Sequence, residues 1–212
     1  MARLQGSTGK LFRISILACS LYILPFAPAA DAASIFGFKA YAKTSLKPFP
    51  KWRRVLDTYT TEPRPCNGKV CGYKQWKELV EGLRGKSRKY QLGRVNSYLN
   101  KYRYIIDPVN WGVRDYWEIP KEFFAKFGDC EDYAIVKYIS LRALGWKAED
   151  MKIIVLQDLN LKIAHAILAV NFEKKEMILD NQIGLVIDSK RIKHYLPIYA
   201  VNEKGWWRYK RT

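Results

Sequence analysis

The sequence predicts an α+β fold in which a group of helices precedes an antiparallel sheet. Between Trp52 and Leu144, apolar residues recur at intervals of three and four, the period of helices that pack one face on a core. From Lys152 onward the pattern changes to short apolar runs rich in β-branched residues and separated by turns, which is typical of strands and hairpins. One or more helices followed by an antiparallel sheet is an α+β arrangement. At 212 residues and 49% hydrophobic content, the chain suits one globular domain.

The first 32 residues have the composition of a secretory signal peptide, and the domain is assigned to residues 33–212. The leader begins with three basic residues, Arg3, Lys10 and Arg13. An apolar run at 14–26 follows, and small residues then continue up to Ala33. The apolar run is short for a helix that spans a membrane, so we expect cleavage near Ala33 rather than an uncleaved anchor. The sequence therefore predicts an exported, periplasmic protein.

The formal net charge of +17 limits the classes of partner. About +15 remains once the leader is removed, because the leader carries three basic residues and Asp31. Nucleic acid is not expected, since the protein is exported and its Lys and Arg residues are scattered outside any nucleic-acid motif. An acidic partner, such as anionic lipid headgroups or an acidic exported protein, fits the charge better.

A helical lobe is predicted over about residues 50–118. The first helix carries Trp52, Val55, Leu56 and Tyr59 on one face, a second runs over 76–83, and a third reaches about residue 101. Residues 107–112 predict a turn, and 121–126 a short helix opened by Pro120.

Cys66 and Cys71 lie in the loop between the first two helices. Two cysteines five apart around an Asn-Gly turn, in an exported protein, predict a small disulfide loop. A metal clip is the alternative, but no third or fourth soft ligand lies nearby.

The catalytic helix and the sheet are predicted over about 119–212. Strands are expected at 152–157, 163–170 and 176–180, the last two joined by a turn at 171–175, with further short strands at 185–187, 197–201 and 206–209.

Cys130 is predicted in the first turn of a helix that runs to Leu144. Asp129 is a good N-cap, and Asp132 three residues later resembles the second half of a capping box. The helix dipole at this position would lower the pKa of the thiol and make it a nucleophile. The simpler alternative is a small buried apolar residue.

A base for such a nucleophile is available from two histidines, His165 and His194. His165 lies mid-strand between two alanines, whereas His194 sits in a basic stretch and is expected at the surface. If Val170 pairs with residue 175 or 176, His165 falls opposite residue 180 or 181, and opposed side chains project from one face. The register therefore predicts that Asp180 orients His165 and that His165 takes the proton of Cys130.

These residues resemble the bacterial transglutaminase-like cysteine proteinases, the periplasmic adhesin-releasing (LapG-type) proteases. The resemblance covers about residues 96–201 and is carried by five motifs: Trp-Gly-Val-Arg-Asp-Tyr-Trp at 111–117, Gly-Asp-Cys-Glu-Asp-Tyr-Ala at 128–134, Leu-Arg-Ala-Leu-Gly at 141–145, Ala-His at 164–165 and Leu-Asp-Asn at 179–181. It implies a papain-like or transglutaminase-like fold with Cys130, His165 and Asp180 as the catalytic triad.

The same resemblance implies a calcium ion bound by Asp129 and Glu131, with Asp132 also involved. A physical argument agrees with it, because three carboxylates beside Cys130 would disfavour the thiolate and a divalent cation would remove that penalty. The alternative is that the three acids only serve the helix N-terminus.

Two positions depart from the expected pattern. Phe127 stands where a glycine is expected, which would narrow the cleft near the nucleophile, and Phe124 stands where papain-like enzymes carry a glutamine. The second oxyanion donor is therefore unassigned, with Trp111, Trp117 and the Cys130 backbone N–H as candidates.

The function implied by the resemblance is a calcium-dependent cysteine endopeptidase. Its substrate would be the N-terminal region of a large surface adhesin, cut at a small-residue site, and a cyclic-di-GMP-responsive inner-membrane receptor would hold the protease inactive. The cleavage would control cell attachment and biofilm release. Two alternatives stay open: a transglutaminase-type acyltransferase that uses the same triad, and a non-catalytic binding module on the same fold.

Overall fold

The computed structural model describes residues 34–61 and 72–211, which contain six α-helices. They are α1 (Pro50–Thr58), α2 (Gly72–Gly82), α3 (Arg88–Leu99), α4 (Asp107–Asn110), α5 (Pro120–Lys126) and α6 (Cys130–Ala143). The helices predicted from the apolar period are all present. The predicted turn at 107–112 instead begins with one helical turn. Pro108 lies in its first turn, where a backbone N–H has no intrahelical acceptor and its absence in proline costs nothing. The leader and the Cys66–Cys71 loop lie outside the described residues, so the disulfide stays a prediction.

The strands form one antiparallel sheet of seven in the described part of the chain, in the order β1-β7-β6-β2-β3-β4-β5. Their bounds are β1 (Phe38–Lys43), β2 (Met151–Asp158), β3 (Ile163–Phe172), β4 (Lys175–Leu179), β5 (Ile187–Asp188), β6 (Tyr195–Asn202) and β7 (Gly205–Arg211). The six strands after α6 confirm the predicted change of period. The helices before this sheet confirm the α+β class.

Strand β1 was not predicted, because its six residues include two lysines and no β-branched residue. It lies at the edge of the sheet, paired with β7, and Ala40 is its only buried residue. Basic residues alternate with small and aromatic ones along it, as is common on edge strands that must not pair with another chain.

The β3–β4 hairpin is tighter than the sequence predicted. Val170 pairs with Met177 and Phe172 with Lys175, so the turn consists of two residues, Glu173 and Lys174, both with positive φ. The predicted pairing of Val170 with residue 175 or 176 is wrong. A two-residue turn with positive φ at both positions matches the twist of antiparallel strands. The hairpin therefore has two more cross-strand residue pairs than the predicted turn at 171–175 would allow.

The two faces of the sheet carry two apolar clusters. One face packs against the helices, with α6 against β2 and β3, and Trp52, Leu99 and Phe123 are fully buried there. The other face carries Ile154, Ile167 and their neighbours. No helix among the described residues is long and apolar enough to cross a membrane.

Candidate active site

Cys130 is the first residue of α6, as predicted. The backbone N–H of Asp129 donates to Oδ2 of Asp132 (3.0 Å), which is the expected half of a capping box. The other oxygen of Asp132, Oδ1, accepts from the backbone N–H of Glu118 (2.7 Å). Asp132 is fully buried and ties the segment before α5 to the start of α6.

Gly128 is required by this arrangement. A Cβ at residue 128 would lie 2.7 Å from the Cβ of Asp132, closer than real carbon atoms approach. The Gly-Asp-Cys sequence therefore has a steric cause, since the fixed carboxylate of Asp132 occupies the place of a side chain at 128.

His165 and Asp180 lie in contact, as predicted, although for a different reason. Nε2 of His165 is 3.0 Å from Oδ1 of Asp180, and both side chains are buried. The observed register would set His165 opposite Gln182, but β4 ends at Leu179 and the chain turns there. Asp180 lies one residue beyond the end of β4 and two residues before Gln182, so it reaches the imidazole from a diagonal position.

The Asp180 carboxylate is held by three donors. Besides His165, the backbone N–H of Gln182 donates to Oδ1 (2.8 Å) and the Tyr195 hydroxyl donates to Oδ2 (2.6 Å). Burial would raise the pKa of Asp180, but the hydrogen bonds from His165, Tyr195 and Gln182 outweigh it and hold that pKa below its ordinary value. The carboxylate is thus kept ionised. Because Nε2 faces Asp180, Nδ1 of His165 is left for proton transfer.

The Cys130 thiol lies beside β3 at the residue that follows His165. The backbone N–H of Ala166 lowers the pKa of the thiol, and the thiol raises the pKa of the Tyr104 hydroxyl, so both groups lie near the sulfur. The thiol itself donates to Oε2 of Glu131 (3.1 Å). The start of α6 and the start of β3 are therefore adjacent.

The expected lowering of the thiol pKa is wrong for this arrangement. Burial raises the pKa of Cys130 well above its ordinary value, and the carboxylates of Glu131 and Asp129 raise it further. A helix N-terminus favours a thiolate only while no stronger negative charge lies near it, and here two acids flank the sulfur.

The acids near Cys130 form a larger cluster than the sequence indicated. Carboxylate oxygens of Asp107, Asp115 and Glu131 lie within 4.8 Å of one another, as do those of Asp107, Asp129 and Asp132. Asp107 and Asp115 were not predicted as site residues, since they precede Cys130 by 23 and 15 positions and no local pattern links them to it. Asp107 is held by the backbone N–H of Tyr116, which donates to its Oδ2 (2.5 Å), and its own N–H donates to Asp129 (3.3 Å).

This cluster fits a hard divalent cation. Oδ1 of Asp107 and Oδ1 of Asp129 are buried without a hydrogen-bond partner in the described part of the chain. Burial raises the pKa of Asp107 to about 6 and also raises that of Asp129 and Glu131. Oxygen ligands from several carboxylates are the set that calcium prefers. Asp132 shares the cluster, but both of its oxygens already accept backbone hydrogen bonds.

Of the three oxyanion candidates, Trp111 has its N–H engaged elsewhere and Trp117 is buried in the core. The indole N–H of Trp111 donates to Oε1 of Glu118 (2.5 Å), and Trp117 is buried against Trp52 at a ring distance of 6.3 Å. The Cys130 backbone N–H is the candidate that remains.

Phe127 has the backbone conformation that explains why glycine was expected there. Its φ is 64° and its ψ is 174°, a region that residues with a Cβ rarely adopt. Its ring packs on Tyr102 at 5.9 Å. Its carbonyl accepts from the side chain of Asn110 (2.6 Å), which holds the strained turn just before the nucleophile.

His194 is half-buried, and its ring packs edge-on against Tyr195 at 4.5 Å. Its backbone carbonyl accepts from Leu159 (2.9 Å). The prediction of a surface histidine is therefore only partly right. The His194 ring packs against the ring of Tyr195.

Lys137 is a buried charged residue that the sequence did not single out. It lies two helical turns after Cys130 on α6, is fully buried, and its Nζ has no hydrogen-bond partner among the described residues. Burial lowers the pKa of Lys137 to about 7, and the carboxylate of Asp180 opposes that shift.

Comparison with known proteins agrees with the fold and identifies the family. A family model described as bacterial transglutaminase-like cysteine proteinase matches residues 66–209. Calcium-bound LapG of Legionella pneumophila is 30% identical, with a TM-score of 0.61 over 74% of this chain and 86% of that chain. EGTA-treated LapG of the same organism is 29% identical, with a TM-score of 0.60 over 74% of this chain and 85% of that chain. No curated protein sequence matches the chain.

Proposed function

Since the chain belongs to the bacterial transglutaminase-like cysteine proteinases and is a cysteine protease of the LapG type, we propose that it is an exported, calcium-dependent endopeptidase. The observation that carries the proposal is a cysteine at the start of α6 that faces the backbone of Ala166, the residue after a buried histidine that is paired with a carboxylate. This is the arrangement that nucleophilic cleavage of an amide requires.

In the proposed mechanism, Sγ of Cys130 attacks the carbonyl carbon of the scissile peptide bond. Nδ1 of His165 takes the thiol proton and then gives it to the leaving amine, so that a thioester remains on the enzyme. His165 next takes a proton from water, the hydroxide attacks the thioester, and Sγ leaves and regains the proton. Asp180 accepts from Nε2–H throughout and fixes the tautomer with its lone pair on Nδ1. The Cys130 backbone N–H, in the first turn of α6 where N–H groups have no intrahelical acceptor, would donate to the oxyanion.

Calcium would be held by Asp107, Asp129 and Glu131, with Asp115 and Asp132 in the same cluster. When bound, the cation supplies positive charge that offsets the carboxylates beside the thiol and favours the thiolate. The raised pKa of Cys130 supports this role, because Glu131 and Asp129, which would bind the ion, both raise that pKa. The existence of calcium-bound and EGTA-treated forms of the Legionella pneumophila protein also supports it.

The proposed substrate is the N-terminal region of a large surface adhesin, whose release would control cell attachment and biofilm dispersal. A cyclic-di-GMP-responsive inner-membrane receptor is proposed as the regulator. Both are supported by the resemblance of the sequence to the LapG-type proteases. Export to the periplasm is supported by the leader at 1–32.

The proposal is tested by the intact mass of a recombinant N-terminal adhesin fragment from the same genome, after incubation with the protein and calcium. We expect two fragments whose masses sum to the substrate plus one water. Cys130→Ala and His165→Ala should leave the fragment intact, whereas the control His194→Ala should cleave it. A product that carries a lysine amine in place of water would establish the acyltransferase instead. An intact substrate with folded wild-type protein would favour the binding module.

Calcium dependence is tested separately, at a temperature where every variant stays folded. A chelator should stop cleavage of the fragment, and calcium should restore it better than magnesium, which prefers strict octahedral geometry and retained waters. Asp107→Asn and Asp129→Asn should each weaken the rise in Tm that calcium causes in the wild type. The control Asp57→Asn, on the outer face of α1, should leave that rise unchanged. A cleavage rate that ignores the chelator would remove calcium from the mechanism.

A further inference from the structure

Tyr195 occupies a position behind the histidine and the aspartate that no step of the mechanism yet uses. It is the first residue of β6 and is buried, with 3% of its surface exposed. Its hydroxyl donates to Oδ2 of Asp180 at 2.6 Å, the shortest of the three hydrogen bonds that the carboxylate accepts. A short bond from a neutral hydroxyl to an ionised oxygen belongs to the strong, charge-assisted class.

We propose that Tyr195 is a positioning residue for catalysis, which fixes the Asp180 carboxylate so that its other oxygen holds His165 in the productive orientation. The inference rests on the proposed function, because it takes His165 as the base. Tyr195 acts through Asp180 and does not touch the reacting atoms.

The geometry supports this role in two ways. Oδ1 of Asp180 accepts from His165 and Gln182, and the Tyr195 hydroxyl is the donor that holds Oδ2. Without this third hydrogen bond, the plane of the carboxylate could tilt about the Cβ–Cγ bond and move Oδ1 out of line with Nε2 of His165. The ring of Tyr195 also packs edge-on against His165, with centroids 5.9 Å apart. One side chain therefore restrains both members of the pair.

The phenol is itself held in place by aromatic packing. Phe36 contacts it edge-on at 5.7 Å, and His194 at 4.5 Å. Burial and the charge of Asp180 raise the pKa of Tyr195, so its hydroxyl keeps its proton and remains a donor. Asp158 at the end of β2 also raises the pKa of Tyr195, and Lys137 on α6 interacts with Asp180.

The test is Tyr195→Phe, which removes one oxygen and keeps the ring. With the adhesin fragment and calcium, we expect kcat to fall about tenfold with KM unchanged, because the substrate does not contact residue 195. Tyr209→Phe is the matched control, since Tyr209 is a buried tyrosine of the same apolar cluster. It should keep the wild-type kcat.

A double-mutant cycle separates positioning from general support of the fold. In the Asp180→Asn background, Tyr195→Phe should lower kcat less than twofold, because the ionised oxygen it serves is gone. A tenfold loss in both backgrounds, or a loss equal to that of Tyr209→Phe, would overturn the inference. Wild-type kcat in Tyr195→Phe would overturn it as well, while inactive Cys130→Ala would still support the proposed function.

Discussion

Replacing Lys137 with methionine should stabilise the protein, although it removes a charged residue next to the proposed triad. The Nζ of Lys137 is buried without a hydrogen-bond partner among the described residues. Methionine is similarly long, flexible and apolar, and it would fill the same space without a charge. Replacing a buried charge that lacks good partners by a hydrophobic residue of similar volume is often stabilising.

The magnitude follows from the lowered pKa of the amine. Burial lowers the pKa of Lys137 from 10.5 to about 7, and each pKa unit corresponds to about 1.4 kcal/mol. Burying the protonated amine therefore lowers the free energy of unfolding by about 5 kcal/mol below pH 7, where the amine is protonated in both the folded and the unfolded protein. The penalty decreases as the pH rises from 7 to 10.5, because the folded protein then holds a neutral amine. It vanishes above 10.5.

The assay is urea unfolding of wild type and Lys137→Met at several pH values between 6 and 10, at constant calcium. We expect the free energy of unfolding of the variant to exceed that of the wild type by several kcal/mol at pH 6 and by progressively less toward pH 10. Lys86→Met, which changes an exposed lysine between α2 and α3, should show no such trend. A variant that is less stable than wild type at pH 6, or a difference that does not change with pH, would refute the reasoning.

Three further predictions concern Asp180, Gly128 and the Cys66–Cys71 pair. Asp180→Asn should lower kcat by about a hundredfold or more yet leave a measurable residual rate, because it disturbs the histidine tautomer without removing a reacting group. Gly128→Ala should lower the free energy of unfolding in urea by about 1–3 kcal/mol, since the added methyl group meets the fixed carboxylate of Asp132. Its control is Gly93→Ala, where a methyl group meets no atom within 4 Å. That substitution should instead stabilise α3 by up to about 1 kcal/mol. Non-reducing mass spectrometry of the exported protein should show a Cys66–Cys71 crosslink, and two free thiols there would contradict it.

Local sequence determined the elements that carry the site. The N-cap at Asp129, with Asp132 three residues later, fixed the start of α6 and placed Cys130 in its first turn. These interactions span only a few residues, so they are readable in the sequence. The contact of His165 with Asp180 was also predicted correctly, because the observed pairing of Val170 with Met177 differs by two residues from the predicted pairing with residue 175, and a shift of two keeps side chains on the same face. The family resemblance was confirmed by the match over residues 66–209.

The tertiary structure decided the chemistry around those elements. Asp107 joins the acid cluster from 22 residues before Asp129 through a backbone hydrogen bond that depends on how the chain crosses itself. Tyr195 reaches Asp180 across the sheet, and no local period predicts which strand will supply that hydroxyl. The pKa of the Cys130 thiol rises rather than falls, because burial and neighbouring carboxylates outweigh the helix dipole. Burial and through-space charge depend on packing between distant segments, and a sequence pattern does not encode either quantity locally.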